Sequence, residues 1–102
     1  MINAMKYNSD SIVAEILNAV NRIPGTEHSD FYVGITNNIE RRLSEHKITK
    51  KDCLRILEAT NRGEAEMAEI VLIHSGFEGH QGGGTDDTNF VYCYQITDKT
   101  EQ

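Results

Sequence analysis

The sequence predicts an α/β or α+β domain built around a short sheet of three strands. Three observations support this class. The chain has 102 residues, which suffice for one domain with one modest core. Segments with the helical spacing of apolar residues alternate with short apolar runs typical of strands, in the order αβαβαβ. Neither an internal repeat nor a long linker divides the sequence, so we expect residues 1–102 to form a single domain.

The first predicted element is a helix over residues 9–22, SDSIVAEILNAVNR. Ser9, Asp10 or Ser11 can provide the N-cap, and a Pro-Gly pair follows the segment and ends it. The apolar side chains recur on one face: Ile12, Ile16, Leu17 and Val20. This pattern predicts an amphipathic helix that packs on the core.

Two further helices are predicted downstream. Asn37 or Asn38 can cap a short helix from Ile39 to about His46. The segment 64–74, EAEMAEIVLIH, is so rich in apolar residues that it predicts a mostly buried helix, which Gly76 ends. Its apolar positions are Ala65, Met67, Ala68, Ile70, Val71, Leu72 and Ile73.

Three segments have the composition of strands. They cover residues 30–35, 53–59 and 89–97, and the last is rich in aromatic and β-branched residues. Residues 75–89 contain five glycines and predict an irregular loop, which we expect to form a flexible rim over a site. Asp86 and Asp87 in this loop support a metal or simply cap a turn, and the Lys-Ser/Thr of a nucleotide-binding P-loop is missing.

The charge of the chain is unevenly distributed. The net charge of -6 argues against a general nucleic-acid-binding protein. Residues 41–62 nevertheless contain seven of the ten basic side chains and have a net charge of +4, which leaves -10 on the remainder. A basic segment on an acidic body is compatible with phosphate binding at one face, or with nothing more than a solvated helix end.

Several classes of protein are disfavoured by what the sequence lacks. No apolar run approaches the ~20 residues that span a bilayer, so no membrane association is expected. The first residues do not have the pattern of a secretion signal. Cys53 and Cys93 do not have the spacing of a metal-binding pair, and we expect both to be small buried residues in a cytoplasmic protein.

The stretch FYVGITNNIERRLSEHK, residues 31–47, concentrates polar chemistry at a strand-to-helix junction. Tyr32 lies in the predicted strand, and Arg42 and His46 are four residues apart and therefore share one face of the next helix. Taken singly, each has an ordinary explanation, since Tyr32 can be a core residue and His46 can interact with its helix C-terminus. Arg42 can likewise form an ion pair, with Glu45 or Glu69.

Together these residues resemble the second signature of the GIY-YIG endonuclease superfamily. Tyr32-Val33-Gly34 matches its Tyr-x-Gly, Arg42 matches its catalytic arginine, and His46 matches a histidine of several members. The helix pattern Ala-x-x-x-Glu of the metal-binding glutamate recurs at Ala65 to Glu69. The resemblance covers roughly residues 30–75. It implies a small three-stranded, mainly antiparallel sheet flanked by helices.

The namesake Gly-Ile-Tyr strand of that superfamily is missing before Tyr32, where this chain has NRIPGTEHS. Phe90-Val91-Tyr92 has the same apolar-apolar-Tyr form near the other end. We therefore expect the C-terminal strand to take the place of the usual first strand and to lie beside the strand of Tyr32. Tyr92 would then join the site, with Tyr94 as the less favoured candidate. The sequence does not separate the two, because both face the same side of a strand.

The resemblance implies metal-dependent hydrolysis of phosphodiester bonds in nucleic acid, most simply DNA. Its implied catalytic residues are Tyr32, Arg42, His46, Glu69 and Tyr92, with Gly34, Thr36, Arg41 and Lys47 binding substrate. Glu69 would hold Mg²⁺ or Mn²⁺ because hard cations prefer carboxylate oxygen. Arg42 would bind the phosphate oxygens because its guanidinium is always charged and donates two hydrogen bonds.

Two functions of other classes stay open at this stage. One is a binding protein that keeps the fold and the phosphate-binding Arg42 but does not cleave. The other is a protein-interaction factor whose acidic surface competes with nucleic acid for a partner. The missing first motif and the charge of -6 favour these two, and the set of Tyr32, Arg42, His46 and Glu69 favours the nuclease. Because the sequence shows no appended DNA-binding domain, we expect a nuclease of this kind to recognise the structure of its substrate or to rely on a homodimer or a protein partner.

Overall fold

A computed structural model of the chain describes residues 5–80 and 88–102. It contains three helices and one antiparallel sheet, which confirms the predicted class and the order of elements. The elements are α1 (Ser9–Asn21), β1 (Phe31–Thr36), α2 (Ile39–Glu45), β2 (Arg55–Glu58), α3 (Arg62–His74) and β3 (Phe90–Gln95). Within the described ranges, no helix is long and apolar enough to cross a membrane.

The C-terminal strand lies in the centre of the sheet, whose order is β1-β3-β2. It pairs antiparallel with both neighbours, and its register places Tyr94 opposite Tyr32 and Tyr92 opposite Gly34. The prediction that this strand lies beside the strand of Tyr32 is therefore confirmed.

The two faces of the sheet bury different kinds of side chain. Residues of one face, including Phe31, Val33 and Cys93, form a hydrophobic core with α1 and α3. On the opposite face, the tyrosines of β1 and β3 pack with Leu43 of α2. Alternation along each strand explains this division, because successive side chains point to opposite faces. The tyrosines and α2 thus meet in a second, partly polar core.

The helices begin at capping residues, and the sequence predicted only some of these residues correctly. The N-cap of α1 is Asn8, whose side chain accepts a hydrogen bond from Ser11 N, so the prediction of Ser9, Asp10 or Ser11 was wrong. Asn38 caps α2 as one of the two expected residues. Helix α3 begins at Arg62 rather than residue 64, because Asn61 accepts from Glu64 N and starts the helix earlier.

Three further expectations need correction. β2 is four residues long rather than covering 53–59, although Leu54 N still donates to Cys93 O beside it. Helix α3 is not mostly buried, since Met67 is 50% and Val71 38% exposed and only one side of the helix faces the core. Cys53 is half-buried rather than fully buried, and both cysteines are free thiols.

The glycine-rich segment is described only at its ends. Gly76 follows α3 with a φ of +110°, which suits glycine and ends the helix as predicted. Val33 N donates to Glu78 O, and Glu78 N donates to Phe31 O, so this segment adds a short parallel pairing to the outer edge of β1. The expected rim over the site and its residues Asp86 and Asp87 lie outside the described residues.

Candidate active site

Arg42, Tyr92 and His46 form a continuous hydrogen-bonded chain between α2 and β3. Arg42 Nε donates to Tyr92 Oη at 3.3 Å, and Tyr92 Oη lies 2.8 Å from His46 Nε2. Arg42 is in the middle of α2 and His46 is its C-cap, one turn later, so both reach the same strand. Tyr92 and His46 are 0% and 2% exposed, whereas 38% of the Arg42 side chain is exposed. The chain therefore leads from the surface into the interior.

Both ring nitrogens of His46 have polar neighbours. Nδ1 lies 2.7 Å from the main-chain oxygen of Glu101, which can only accept a hydrogen bond. Burial lowers the pKa of His46 below its ordinary value, an effect that the Glu101 hydrogen bond opposes and the charge of Arg42 reinforces. A neutral ring with its proton on Nδ1 would satisfy Glu101 O and would leave the lone pair of Nε2 facing the Tyr92 hydroxyl.

Tyr32 and Tyr94 complete an aromatic cluster around the imidazole. The ring of Tyr32 lies 4.8 Å from that of His46 and 5.3 Å from that of Tyr94, measured between centroids. The rings of Tyr32 and Tyr92 are 6.4 Å apart. Tyr94 Oη is 3.0 Å from His46 Nδ1 and donates to the side chain of Gln102 at 3.1 Å. Both C-terminal tyrosines therefore contact His46, but the hydrogen bond from Arg42 goes to Tyr92.

Burial makes every hydroxyl of this cluster harder to ionise. It raises the pKa of Tyr32, Tyr92 and Tyr94 above the ordinary value for tyrosine. The positive charge of Arg42 opposes the rise for all three, and the carboxylate of Glu69 adds to it for Tyr32 and Tyr92. A tyrosine here can thus take a proton only if it hands its own proton on in the same step, and His46 Nε2 is the acceptor within reach of Tyr92.

Glu69 is a buried carboxyl group in a helix that is otherwise apolar on its inner side. It is 3% exposed, and among the described residues it forms neither a hydrogen bond nor an ion pair. Burial raises its pKa to about 7, Glu66 adds to the rise, and Arg42 opposes it. An unpaired buried carboxylate is expensive unless a cation joins it, which is why its position in a helix packed on β1 suits a metal ligand.

Arg42 pairs with a surface carboxylate and not with Glu69. Its Nη1 lies 2.9 Å from Glu45 Oε1, one of the two partners considered from the sequence, and the Glu45 side chain is 51% exposed. The described hydrogen bonds of Arg42 use Nε and Nη1. An exposed ion pair contributes little to stability, so the guanidinium can exchange Glu45 for another anion at small cost.

The four residues expected to bind substrate have differing surroundings. Gly34 faces the ring of Tyr92. Thr36 is buried, and its hydroxyl bonds with both main-chain groups of Asn38 at the turn into α2. Arg41 is exposed and lies 3.9 Å from Glu45. Lys47 borders a surface cavity of about 520 Å³ together with Lys50.

Two contributors were not predicted from the sequence. The main-chain oxygen of Glu101 leaves no signal, since every residue has one. His80 lies beside Tyr32, with ring centroids 6.2 Å apart, in a loop whose path the residue pattern does not define. In the described part of the chain, no group of three or more His, Cys, Asp or Glu side chains is arranged to hold a metal ion.

Comparison with known proteins identifies one matching family. The family model described as the GIY-YIG catalytic domain matches residues 21–80, more than half of the chain. The matched range contains Tyr32, Gly34, Arg42, His46 and Glu69, and it ends before β3 and Tyr92. No curated protein and no solved structure matches the chain.

Proposed function

Because this chain belongs to the GIY-YIG family, we propose that it hydrolyses phosphodiester bonds of nucleic acid, with DNA as the substrate and a divalent metal ion as cofactor. The observation that carries the proposal is the chain of hydrogen bonds from Arg42 through Tyr92 to His46. It joins an exposed cation to a buried proton acceptor, and phosphodiester hydrolysis needs both functions side by side.

Arg42 is the residue that would meet the phosphate. Its hydrogen bond to Tyr92 is long at 3.3 Å, and its ion pair with Glu45 is exposed to solvent. A phosphate can therefore replace both partners at a small cost in free energy. Tyr92 is fully covered in the free protein. We propose that the guanidinium moves onto the non-bridging phosphate oxygens when substrate binds, which uncovers the Tyr92 hydroxyl beneath it.

Tyr92 and His46 would then remove the proton of the attacking water. The water oxygen forms a bond to phosphorus while its proton passes to Tyr92 Oη. The proton of Tyr92 moves at the same time to His46 Nε2. The bond from phosphorus to the departing sugar oxygen breaks, and that oxygen takes a proton from a solvent water. The hydrogen bond to His46 Nε2 belongs to Tyr92, and Tyr32 contacts the imidazole through its ring. We therefore assign Tyr32 to orienting the imidazole.

Glu69 fits the requirement for a metal ligand. Its side chain is buried and without a described bonded partner, and Mg²⁺ characteristically binds one or two carboxylates and completes its shell with water and phosphate oxygens. A divalent cation bound there would neutralise charge that develops on the phosphate oxygens. We further propose that the protein acts in the cytoplasm, which the two free cysteines support. We propose in addition that a second copy of the chain or another protein helps to hold the nucleic acid.

A metal-dependent cleavage assay tests the function. Single-stranded, double-stranded and branched DNA and the matching RNAs are incubated with Mg²⁺, with Mn²⁺ or with a chelator, using wild type and the Glu69→Gln variant purified in parallel. Cleavage by wild type that needs metal and is lost in the variant is the expected result. Equal cleavage by both proteins indicates a contaminating nuclease. Binding without cleavage by either would replace the nuclease with a binding protein that keeps the family fold.

A further inference from the structure

The segment after β3 turns back and binds His46 through its main chain. Thr100 N donates to Thr97 O at 3.2 Å, and this turn brings Glu101 to the C-terminal end of α2. Glu101 N donates to His46 O at 2.9 Å, and His46 Nδ1 lies 2.7 Å from Glu101 O. Glu101 thus contacts both the backbone and the ring of His46 through its own main chain.

This contact decides which nitrogen of the ring can accept a proton. A main-chain oxygen accepts hydrogen bonds and never donates them, so Nδ1 must be the protonated nitrogen. Nε2 is then left with its lone pair directed at Tyr92 Oη, 2.8 Å away. In the other tautomer, Nε2 would donate to Tyr92, and the lone pair of Nδ1 would face Glu101 O at 2.7 Å with no proton between them. Glu101 O would keep only its longer contact with the Tyr94 hydroxyl, at 3.5 Å, and Tyr92 would have no base beside it.

The second neighbour of Nδ1 can adapt to this arrangement. Tyr94 Oη, at 3.0 Å, accepts from the ring and donates its own proton to Gln102 Oε1 at 3.1 Å. A hydroxyl does not by itself select a tautomer, because it both donates and accepts. The selection therefore rests on the carbonyl of Glu101. The other groups that act on His46 are Arg42 and Glu45 of α2, His80 of the following loop, and the rings of Tyr32, Tyr92 and Tyr94.

We propose that Glu101 is a positioning residue whose main-chain oxygen holds His46 as the Nδ1-protonated tautomer, so that Nε2 receives the proton of Tyr92. This inference rests on the proposed function and extends it to a segment outside the family match, which ends at residue 80. When Nε2 takes the proton, the ring becomes a cation with both nitrogens protonated. Glu101 O already accepts from Nδ1 and stabilises that cation as well.

Nitrogen NMR of the imidazole tests the tautomer directly and does not require activity. In the chain of residues 1–102 labelled with ¹⁵N histidine, the His46 signals near neutral pH should show a protonated Nδ1 and an unprotonated Nε2. His46→Gln identifies the signals. Protonation on Nε2 in the wild-type protein would overturn the proposal, whatever the protein cleaves.

Removal of residues 101 and 102 tests the consequence. Loss of the carbonyl should shift the ring toward the Nε2-protonated tautomer and lower kcat by about five- to tenfold. This is the factor by which one neutral hydrogen bond changes the ratio of the two tautomers. KM should stay unchanged because the ring is buried. Glu101→Ala keeps the main chain and Gln102→Ala keeps Glu101, so both should retain the wild-type tautomer and kcat.

The two proposals fail in different ways. A wild-type protein that binds but never cleaves nucleic acid contradicts the proposed function, while the NMR result still decides the tautomer. A truncated protein with the wild-type tautomer and kcat contradicts the positioning role. If Glu101→Ala is as impaired as the truncated chain, the side chain and not the carbonyl is responsible, and the proposal is wrong. Should the truncated chain not fold, the wild-type spectrum alone still decides.

Discussion

The ring of Tyr92 occupies the space where Gly34, its cross-strand partner, would carry a β-carbon. A methyl group at Gly34 would overlap the hydroxyl oxygen and Cζ of Tyr92 and would lie 2.9 Å from Cε1. The glycine of the Tyr-x-Gly pattern therefore has a packing reason in this protein, independent of any contact with substrate. It lets the tyrosine of the central strand lie flat against β1 and reach Arg42 and His46.

Substitution Gly34→Ala is expected to displace the Tyr92 ring. Overpacking of this kind typically costs about 1–3 kcal/mol, and the shift should also separate Tyr92 Oη from His46 Nε2 and abolish cleavage. A thermal melt beside a cleavage assay measures both effects. Alanine at this position with wild-type activity would contradict the close packing.

A double-mutant cycle with Tyr92→Ala provides the control for this substitution. Once the ring is gone, the added methyl group has nothing to overlap. The double variant should therefore lose less stability than the two single variants together, by about 1 kcal/mol or more. Strictly additive losses would show that Gly34 and Tyr92 do not interact.

Substitution Arg42→Ala should separate stability from function. The ion pair with Glu45 is exposed, and Tyr92 keeps its bond to His46, so the free energy of unfolding should fall by less than about 1 kcal/mol. Loss of the guanidinium should reduce the cleavage rate by about 10²–10³-fold, as for other residues that stabilise transition-state charge. Arg42→Lys should restore binding in part and cleavage poorly, because lysine lacks the planar fork. A large loss of stability with unchanged binding would instead make Arg42 a structural residue.

Lys47 stands where a glycine is usual. It follows α2 with a φ of +64°, and the bonds from Lys47 N to Ser44 O and from Ile48 N to Leu43 O form a helix-ending motif that favours glycine. We expect Lys47→Gly to raise the free energy of unfolding by about 0.5–1 kcal/mol, since the left-handed conformation is costly for other residues. If Lys47 contacts a phosphate, nucleic-acid affinity should fall and the slope of log K against log salt should decrease by about one unit.

The matched control for this substitution is Lys51→Gly. Lys51 lies in the same basic segment, and Lys47 is the one residue other than glycine with a positive φ in the part of the chain that the structure describes. Introducing glycine at residue 51 should therefore lower stability. A gain in stability at both positions would show that the backbone of Lys47 is not strained, and unchanged affinity after Lys47→Gly would remove it from the substrate-binding set.

The ionisation of Glu69 should make stability depend on pH. Its pKa is about 7 in the folded protein against an ordinary value of 4.5. Between these values the folded state binds more protons than the unfolded state, so stability falls as pH rises through this window. Glu69→Gln cannot ionise, and its unfolding free energy relative to wild type should therefore rise from pH 4.5 to pH 8, by up to about 3 kcal/mol.

Added Mg²⁺ gives the second half of this comparison. At pH 8 the ion should stabilise wild type, because it binds the folded state, and it should leave the Glu69→Gln variant unchanged. Chemical unfolding at several pH values, with and without metal, measures both effects. A difference between the two proteins that does not vary with pH would mean that the Glu69 carboxyl ionises as it does in the unfolded chain.

The sequence was informative where chemistry and periodicity coincide. Tyr32, Arg42 and His46 lie within fifteen residues of one strand and one helix, so local spacing was enough to bring them together. The position of β3 followed from the need for a strand beside Tyr32 and from the aromatic residues near the C-terminus. Tyr92 and Tyr94 could not be separated, because residues two apart share a face; the arginine of another element distinguishes them.

Other features depend on the tertiary structure alone. The role of the Glu101 carbonyl depends on the path of the chain after β3, and the residue types in that segment do not predict this path. Met67 and Val71 are exposed because the core covers only one side of α3. The prediction from apolar content alone therefore overestimated the burial of this helix. The N-cap of α1 was misplaced by one residue because Asn8 and the three residues after it are all good capping residues.

The central claim is that Tyr92, on the C-terminal strand, takes the place of the tyrosine that the family normally carries on its first strand. Single-turnover cleavage by Tyr92→Phe and by Tyr94→Phe tests it most directly, because both variants lose one hydroxyl from the same face of β3. We predict that Tyr92→Phe lowers the rate by at least about 10²-fold with unchanged substrate binding, as loss of a general base does, and that Tyr94→Phe lowers it by less than about tenfold. A Tyr92→Phe protein that folds and cleaves at the wild-type rate, or an equal loss in both variants, would contradict the claim.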